Sequence, residues 1–261
     1  MKIYKAYAKV NIFLKITGTR GNYHEIISRF VRLEHLYDEL FFTPKTEKEF
    51  QIVGEFSCKT SQNTIYKAYE ALLEFTHSKE LEIFMQKYAV NVKKAIPAFA
   101  GLGGGSSDAS TYLKMCNEEL TLGLSVEELA SIGLQVGADV PFFIYGYDSA
   151  NVSGIGEIVE KFDEELLEIE TYTPKIEIST PKVYNIYREK FFAPINSDEV
   201  EMLKKTASKD ILKMMQPKEA NDLFAPALDG YEELEQYQKN GFYFSGSGSS
   251  FFRIIDKKME K

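Results

Sequence analysis

The sequence of 261 residues predicts an α+β fold in two lobes, and three observations support this prediction. Residues 4–16 alternate between apolar and other side chains, which is typical of a strand with one buried face. Runs with strand periodicity and runs with helical periodicity then share the chain up to about residue 150. From about Gly154 the sequence changes to charged helical runs and short aromatic strands. We therefore expect one domain over residues 1–152 and a second over residues 153–261.

The composition indicates a soluble globular protein. Hydrophobic residues make up 44% and charged residues 27% of the chain, which is ordinary for that class. The net charge of -8 argues against general nucleic-acid binding and against a polybasic membrane anchor. No apolar stretch approaches the roughly 18 residues of a membrane span. Cys58 and Cys116 are too few for a disulfide framework. We expect a cytoplasmic protein with no nucleic-acid or membrane partner.

The opening strand places two polar side chains together. Lys9 and Asn11 are two residues apart, so they share one face of the strand and lie about 7 Å apart. The opposite face carries the apolar residues Tyr4, Ala6, Ala8, Val10, Ile12, Leu14 and Ile16. We expect Lys9 and Asn11 on an open strand face, where they are either solvated or part of a site.

Capping residues and apolar spacing mark the following elements. Helical spacing over Ile65–Leu73 follows Asn63, which is a suitable N-cap. Ser125 and Glu128 form a capping-box pattern before another helix, and Gly137 is expected to end that helix. The other expected strands are Arg29–Leu33, Glu39–Thr43, Val90–Ile96, Ile176–Thr180, Phe242–Phe244 and Phe251–Ile255. The other expected helices begin after Thr180 as N-cap with Pro181 first, and cover Asp198–Lys205 and Asp210–Met215.

A glycine-rich segment between a strand and a helix is the sharpest feature of the sequence. It starts at Pro97 and continues with Gly101, Leu102, Gly103, Gly104, Gly105, Ser106 and Ser107. Glycines let the backbone approach an anion and turn its N–H groups toward it. We expect the helix to start at Ser106–Asp108, where its N-terminus would favour the same anion. The segment therefore predicts a phosphate site, with a flexible linker as the alternative.

Three common phosphate-binding motifs do not fit this segment. A Walker A loop needs a Gly-Lys pair, and the chain contains none. A dinucleotide-binding loop would follow the first strand of a βαβ unit, whereas this segment begins near residue 101. The His-Arg-Asp and Asp-Phe-Gly motifs of protein kinases are also missing from the sequence.

The segment from Pro97 to Ala109 resembles the ATP motif of the galactokinase, homoserine, mevalonate and phosphomevalonate (GHMP) kinase superfamily. Three further segments of the chain are similar to those of one family within this superfamily, the 4-diphosphocytidyl-2-C-methyl-D-erythritol kinase family. They are Ala6–Leu14, Gly137–Phe143 and Phe244–Ser249, in the same order along the chain. The resemblance implies a ribosomal-protein-like ATP domain followed by a ferredoxin-like domain, with the active site in the cleft between them.

The resemblance also implies an activity. A member of this family would use ATP to phosphorylate the 2-hydroxyl of 4-diphosphocytidyl-2-C-methyl-D-erythritol, in the methylerythritol phosphate route to isoprenoid precursors. Asp139 follows a helix end and precedes a proline, so it lies on a rigid turn and suits a general base. Lys9 would keep Asp139 ionised, orient the hydroxyl and offset charge on the phosphoryl group. The alternatives are a solvated Lys9 and an Asp139 that only shapes a turn.

The remaining expected site residues follow from position in the family. Cytosine would stack between Tyr23 and Tyr184, with His24 reading its edge. The other substrate contacts would come from Asn11, Thr180 and Gly246, and further ATP contacts from Asn63 and Lys94. ATP would bring Mg²⁺, with Ser106 or Ser107 reaching the ion and no cage made by the protein alone. An exposed His24, a Tyr184 in the core and a solvated Lys94 are the alternatives.

The sequence departs from the family pattern at two places. The family often has glycines where this chain has Phe99 and Ala100, and it usually has Asp-Gly before the Tyr-His pair, where this chain has Gly21 and Asn22. Two other functions stay open: another small-molecule kinase of the superfamily, of homoserine or mevalonate type, and a catalytically dead nucleotide-binding regulator. We expect a monomer or a weak homodimer.

Overall fold

The computed structural model describes residues 2–255. Its strands are β1 (Tyr4–Arg20), β2 (Tyr23–Pro44), β3 (Ile52–Val53), β4 (Tyr88–Lys93), β5 (Ser149–Gly154), β6 (Ile158–Lys161), β7 (Ile169–Tyr172), β8 (Tyr243–Phe244) and β9 (Phe251–Ile254). Its α-helices are α1 (Thr64–Thr76), α2 (Lys79–Lys87), α3 (Gly104–Glu119), α4 (Val126–Val136), α5 (Val140–Tyr145), α6 (Thr180–Ile186), α7 (Ser197–Lys205), α8 (Ser208–Met214), α9 (Pro217–Ala220) and α10 (Phe224–Gly230). Over residues 2–255, no helix is long and apolar enough to cross a membrane.

The chain divides into two compact units, each made of several segments. The first unit contains the chain up to Ala8, Glu34–Ile96 and Gly103–Gly146. In it, β4 pairs antiparallel with the second half of β2, and β3 pairs parallel with β4. Helices α1, α3, α4 and α5 pack on one another, and their apolar faces share a core with the strands. The first unit is therefore a sheet with helices, which agrees with the predicted α+β class.

The second unit contains Lys9–Leu33, Pro97–Leu102 and the chain from Tyr147 onward. The first half of β2 pairs antiparallel with β5, and β5 pairs with β6. A separate three-stranded sheet has the order β7-β9-β8. The core of the second unit joins β1 and β9 to α6 and α10 through residues such as Leu14, Val183, Phe224 and Phe251. The domain boundary after residue 152, expected from the sequence, stays a proposal.

Several local predictions are confirmed. Asn63 caps α1 by accepting a hydrogen bond from the Ile65 N–H at 2.9 Å. Ser125 and Glu128 form both bonds of the capping box that starts α4, and Gly137 is the C-cap.

The two strands expected in residues 29–43 are one continuous strand, β2, because the extended backbone continues through the exposed residues Glu34 and His35.

Three predictions about individual elements are wrong: the start of a helix, the presence of a strand and the position of a helix cap. Helix α3 begins at Gly104 and not at Ser106–Asp108, because Gly104 and Gly105 adopt helical geometry. Residues 176–179 form no strand, and β9 pairs instead with β7 at residues 169–172. Thr180 is the first residue of α6, with Ser179 as its N-cap, so the predicted cap is one residue late.

A fully buried arginine holds part of the second unit together. The Arg29 side chain donates hydrogen bonds to Asn151 Oδ1 at 2.7 Å and to the Leu203 and Lys204 carbonyls at 3.2 and 3.1 Å. These carbonyls lie in the last turn of α7, where a helix lacks internal donors. Burial lowers the pKa of Arg29 to about 10, which still leaves it charged at neutral pH. Arg29 therefore caps α7 from inside the core.

We expect Arg29→Met to lower the free energy of unfolding by about 3 kcal/mol, because the substitution leaves the buried acceptors without donors. Arg32→Met is the matched control, since Arg32 forms a partly exposed ion pair with Asp148; such a pair is worth about 1 kcal/mol at most. Urea unfolding of both variants measures the difference. Equal losses would contradict the capping role of Arg29.

Candidate active site

The phosphate segment begins helix α3 without a side-chain cap. Gly103 is the N-cap and makes no side-chain hydrogen bond, and the Ser107 N–H is bonded to the Gly103 carbonyl. The preceding N–H groups of the first turn have no acceptor within the helix. They point outward with the positive end of the helix dipole, which is an arrangement that binds phosphate. The structure thus supports the predicted anion site.

The residues before this helix adopt a backbone that excludes most side chains. Gly101 has φ +71°, and a Cβ atom there would lie 2.2 Å from the Ser245 carbonyl oxygen. Phe99 has φ +53°, although the family often has glycine at its position. The carbonyls of Phe99 and Ala100 accept hydrogen bonds from the Ser249 and Ser250 N–H groups. The segment keeps its turn without those glycines because the backbone of residues 249–250 holds it.

Two expected site residues lie close to the first turn of α3 in the first unit. The Thr64 hydroxyl donates to the Gly105 carbonyl at 2.7 Å, which places the Asn63–Thr64 segment beside the turn. Gly137 is also close to this turn, since a Cβ atom there would be 3.8 Å from Ser106 Oγ. Asp139 is two residues further on. These contacts bring together Asn63, the glycine turn and the Asp139 segment.

Asp139 lies in the sharp connection between α4 and α5. The Val140 N–H donates to the Gly137 carbonyl at 3.1 Å, and Pro141 stands in the first turn of α5. Asp139 occupies the N-cap position of α5, but its side chain makes no capping hydrogen bond. The carboxylate is partly exposed. The expected rigid turn is confirmed, and capping of α5 does not explain the side chain.

Lys94 is the other expected ATP residue in the first unit. Its ammonium donates to Asp38 Oδ2 at 2.5 Å and to Asp108 Oδ2 at 2.7 Å. Both carboxylates are buried. Lys94 is therefore not a solvated strand residue.

In the second unit, Lys9 and Asn11 share one face of β1, as predicted, but that face is buried and not open. Lys9 is 3% exposed and Asn11 is 1% exposed. The Lys9 ammonium donates to Asn11 Oδ1 at 2.6 Å and to the Gly101 carbonyl at 3.3 Å. It also lies 4.3 Å from the centre of the Phe30 ring. The prediction of an open face failed because segments distant in sequence cover this strand.

Ser245 connects this network to the C-terminal glycine motif. Its hydroxyl accepts from the Asn11 N–H and donates to the Gly101 carbonyl, both at 3.2 Å. Asn221 donates to the carbonyls of Phe244 and Gly246, both at 2.9 Å. Asn11 Nδ2 donates to Ser28 Oγ at 2.9 Å. Gly246 therefore lies beside the Lys9 network, where a Cβ atom at Gly246 would be 3.2 Å from Asn11 Oδ1.

Aromatic side chains form a second cluster of this unit. His24 stacks on Tyr184 with ring centroids 5.2 Å apart and an interplanar angle of 28°. Tyr187 contacts His24 edge-on at 5.6 Å. His24 is buried, and within residues 2–255 its Nε2 atom has no hydrogen-bond partner. Tyr23, by contrast, is 65% exposed. His24 is therefore not the exposed turn residue of the alternative interpretation.

Burial and the charge of Arg188 lower the pKa of His24 below its usual value of 6.5. The imidazole is therefore neutral at pH 7, and one of its ring nitrogens is a hydrogen-bond acceptor. Thr180, which is expected to contact substrate, shares a hydrogen bond of 2.6 Å with Ser247. This bond joins the start of α6 to the C-terminal glycine motif.

Sequence reasoning missed the residues that support these groups. Ser28, Ser245 and Asn221 hold the Lys9 network, and Asp38 and Asp108 hold Lys94. Ser245 and Asp108 stand inside the motifs that were singled out, so their position was a usable signal. Asp38 and Asn221 carried none, because each acts through contacts that are long-range in sequence.

Comparisons with known proteins identify the family of this chain. The profile of the GHMP kinases N terminal domain matches residues 63–147. A 4-diphosphocytidyl-2-C-methyl-D-erythritol kinase of Sulfurimonas denitrificans is 68% identical, over 99% of this chain and 98% of that protein. The chain belongs to the 4-diphosphocytidyl-2-C-methyl-D-erythritol kinase family. A relative of the same name from Sulfurovum is 45% identical, over 96% of this chain and 98% of its own length.

A solved structure supports the same family fold. The crystal structure of a 4-(cytidine 5'-diphospho)-2C-methyl-D-erythritol kinase has a TM-score of 0.73 and 27% identity to this chain. The match covers 98% of this chain and 90% of that chain. The predicted family and the predicted GHMP kinase fold are therefore confirmed.

The neutral His24 makes the stability of this kinase-family fold depend on pH. The unfolded chain binds a proton near pH 6.5, whereas the folded chain binds it only at lower pH. As the pH falls through 6.5, the unfolded state gains more protons than the folded state, and the free energy of unfolding drops. We expect His24→Gln to remove this part of the acid sensitivity.

Urea unfolding at pH 7.5, 6.5 and 5.5 measures this loss of the free energy of unfolding in acid. Wild type should lose more stability than His24→Gln over this range. His35→Gln, at an exposed position, is the control and should follow wild type. Parallel curves for wild type and His24→Gln would show that the buried imidazole does not set the slope.

Proposed function

We propose that the chain is a kinase that transfers the γ-phosphoryl group of ATP to the 2-hydroxyl of 4-diphosphocytidyl-2-C-methyl-D-erythritol, giving the 2-phosphate and ADP. The reaction belongs to the synthesis of isoprenoid precursors by the methylerythritol phosphate route. One observation carries the proposal: the uncapped first turn of α3 lies next to the connection that holds Asp139. A phosphate-binding N-terminus and a carboxylate on one rigid support are what phosphoryl transfer to an alcohol requires.

The chain's own residues then have distinct roles. The N–H groups at the start of α3 bind phosphate oxygens of ATP, since they have no acceptor in the helix. Asp139 accepts the proton of the substrate hydroxyl while the new O–P bond forms and the bond from the γ-phosphorus to the β–γ bridging oxygen breaks. The ammonium of Lys9 is fixed by Asn11 and Gly101 and offsets negative charge on the transferring group.

Mg²⁺ arrives with ATP in this proposal, and the donor types near α3 suit it. Mg²⁺ prefers oxygen ligands and is bound mostly through phosphates and water. Ser107 is 1% exposed, whereas Ser106 is partly exposed and lies beside Gly137. Ser106 is therefore the serine that would hold the ion, which neutralises charge on the phosphates when bound.

The cytidyl end of the substrate fits the aromatic cluster. Tyr23 is an exposed ring, and Tyr184 already stacks on His24, so the segment offers flat faces for a base. His24, whose buried Nε2 has no hydrogen-bond partner within residues 2–255, is the residue proposed to read the polar edge of cytosine. Asn11, Thr180 and Gly246 complete the proposed substrate contacts, while Asn63 and Lys94 belong to the ATP side. A cytoplasmic monomer or weak homodimer is part of the same proposal.

One experiment separates this activity from the alternatives. ADP release is measured with Mg-ATP and four alcohols: 4-diphosphocytidyl-2-C-methyl-D-erythritol, mevalonate, homoserine and galactose. Turnover only with the cytidyl substrate is expected. Turnover of another alcohol would overturn the cytosine-binding role of Tyr23, His24 and Tyr184. ATP binding without turnover of any alcohol would identify a catalytically dead regulator.

We expect Asp139→Asn to lower kcat by at least about 100-fold, because the amide cannot accept the hydroxyl proton. The KM for ATP should change by less than about threefold, since nucleotide binding does not need the base. Asp148→Asn, at an exposed carboxylate in an ion pair, is the control. Wild-type kcat in Asp139→Asn would exclude Asp139 as the base.

We expect Tyr23→Ala to raise the KM for the cytidyl substrate roughly tenfold, because one stacking face for the base is lost. The KM for ATP should stay near its wild-type value. Phe75→Ala removes another exposed ring, on α1, and is the control. Equal effects of Tyr23→Ala on both KM values would contradict a cytosine-facing Tyr23.

A further inference from the structure

We propose that Asp38, Lys94 and Asp108 form an ion triad that positions the first turn of α3 for ATP, and that the two carboxylates are not equivalent. In this triad Asp38 needs both of its carboxylate oxygens, whereas Asp108 needs only one acceptor oxygen. Asp38 and Asp108 are positioning residues that act through Lys94, the helix and the glycine turn. The inference rests on the proposed use of ATP by this chain.

The triad is buried and joins three elements of the first unit. The Lys94 side chain is 19% exposed, and the side chains of Asp38 and Asp108 are 0% and 3% exposed. Lys94 directly follows β4, Asp38 lies in β2 and Asp108 lies in α3. Water screens such contacts only weakly, so they fix geometry more firmly than exposed ion pairs do. The Lys94 ammonium therefore ties α3 to both strands.

The first turn of α3 rests directly on this triad. A Cβ atom at Gly104 would lie 3.6 Å from Lys94 Nζ and 3.0 Å from Ile96 Cγ2. Glycine at this position lets the helix start approach the ammonium closely. Asp108 follows Gly104 by four residues, about one helical turn. A shift of Lys94 would therefore move the turn whose N–H groups are proposed to bind phosphate.

The hydrogen bonds of the two carboxylates differ. Asp38 Oδ1 accepts from the N–H groups of Ala95 and Ile96 at 2.6 and 2.8 Å, and its Oδ2 accepts from Lys94. Asp108 Oδ2 accepts from Lys94, while its Oδ1 is buried and has no hydrogen-bond partner within residues 2–255. Asp38 thus uses both oxygens and also fixes the residues before Pro97, whereas Asp108 uses one.

This difference decides which carboxylate an amide can replace. An amide has one acceptor oxygen and one NH₂ donor. In Asp38→Asn the NH₂ group would face the Lys94 ammonium in one orientation and the two backbone N–H groups in the other. Both orientations place one donor against another donor. At Asp108 the amide oxygen would take the Lys94 bond, and the NH₂ group would occupy the position that no donor faces. Burial also raises the pKa of Asp108 to about 7, against the effect of Lys94, so a neutral group there is tolerable.

The test compares Asp38→Asn, Asp108→Asn and Lys94→Met in full kinetic analysis, with thermal unfolding of each variant. Asp38→Asn and Lys94→Met should raise the KM for ATP about tenfold or more, because a buried charged hydrogen bond is lost. Their KM for the cytidyl substrate should change less than about twofold. Asp108→Asn should stay within about threefold of wild type in every parameter. Lys93→Met is the control, because Lys93 is exposed and pairs with Glu39.

Several results would overturn the inference. An Asp108→Asn variant as impaired as Asp38→Asn would contradict the unequal roles. Unchanged KM for ATP in Lys94→Met, or parallel loss of kcat, both KM values and thermal stability, would show a merely structural triad. If Asp38→Asn does not fold, Asp108→Leu replaces it, since leucine cannot accept the Lys94 bond and should raise the KM for ATP where Asp108→Asn does not.

The inference and the proposed function fail in different ways. If wild type turns over none of the alcohols, the proposed function fails, and the triad is tested by calorimetric titration with ATP alone. Weaker ATP binding by Asp38→Asn than by Asp108→Asn would then still support the triad. Equal ATP binding by these two variants would overturn it.

Discussion

The N–H groups at the start of α3 need acceptors from outside the helix, and the surrounding chain is arranged around that need. Several other helix starts are satisfied by side chains: Asn63 caps α1, and capping boxes start α4 and α7, whereas α5, α6, α8 and α10 have no side-chain cap. At α3 the cap is Gly103, which offers no side-chain acceptor. An uncapped start beside glycines is unfavourable in a free helix but ready for an anion. The start of α3 differs from the other uncapped starts in its glycines, Gly103 to Gly105, which let an anion approach the backbone closely.

Two ammonium groups lie at the proposed functional segments, and each donates to more than one oxygen acceptor. Lys94 lies between two carboxylates, so its charge is matched by ionisable groups. Among the contacts of Lys9 are neutral oxygens, Asn11 Oδ1 and the Gly101 carbonyl, and the face of the Phe30 ring. Acceptor oxygens and the face of an aromatic ring compensate the burial of a charged group. Both ammonium groups are therefore held in place, Lys94 close to the start of α3 and Lys9 at the Gly101 carbonyl.

Local signals predicted much of the fold, and contacts distant in sequence limited the prediction of the site. Asn63, Ser125 and Gly137 act on their own helices, so their roles could be assigned from neighbouring residues. The sequence places the start of α3 too late because glycine has low helix propensity, whereas in the structure Gly104 begins the helix close to Ile96 and Lys94. The alternation of side chains along β1 placed Lys9 and Asn11 on one face of the strand. Their burial depends on contacts with residues 101 and 245, which this local alternation cannot predict. The same holds for Asp38 and Asn221.

The departure from the family pattern at Phe99 follows from the same backbone logic. A non-glycine residue at φ +53° costs on the order of 1–2 kcal/mol relative to ordinary backbone. The carbonyls of Phe99 and Ala100 accept hydrogen bonds from the N–H groups of Ser249 and Ser250, and these bonds offset that cost. Residues 99–100 therefore do not need glycine to form the turn, whereas Gly101 does, since its neighbour is a carbonyl oxygen that leaves no room for a Cβ atom. Glycine is therefore required at Gly101, where a Cβ atom has no room, and is replaceable at Phe99, where the backbone has a positive φ angle.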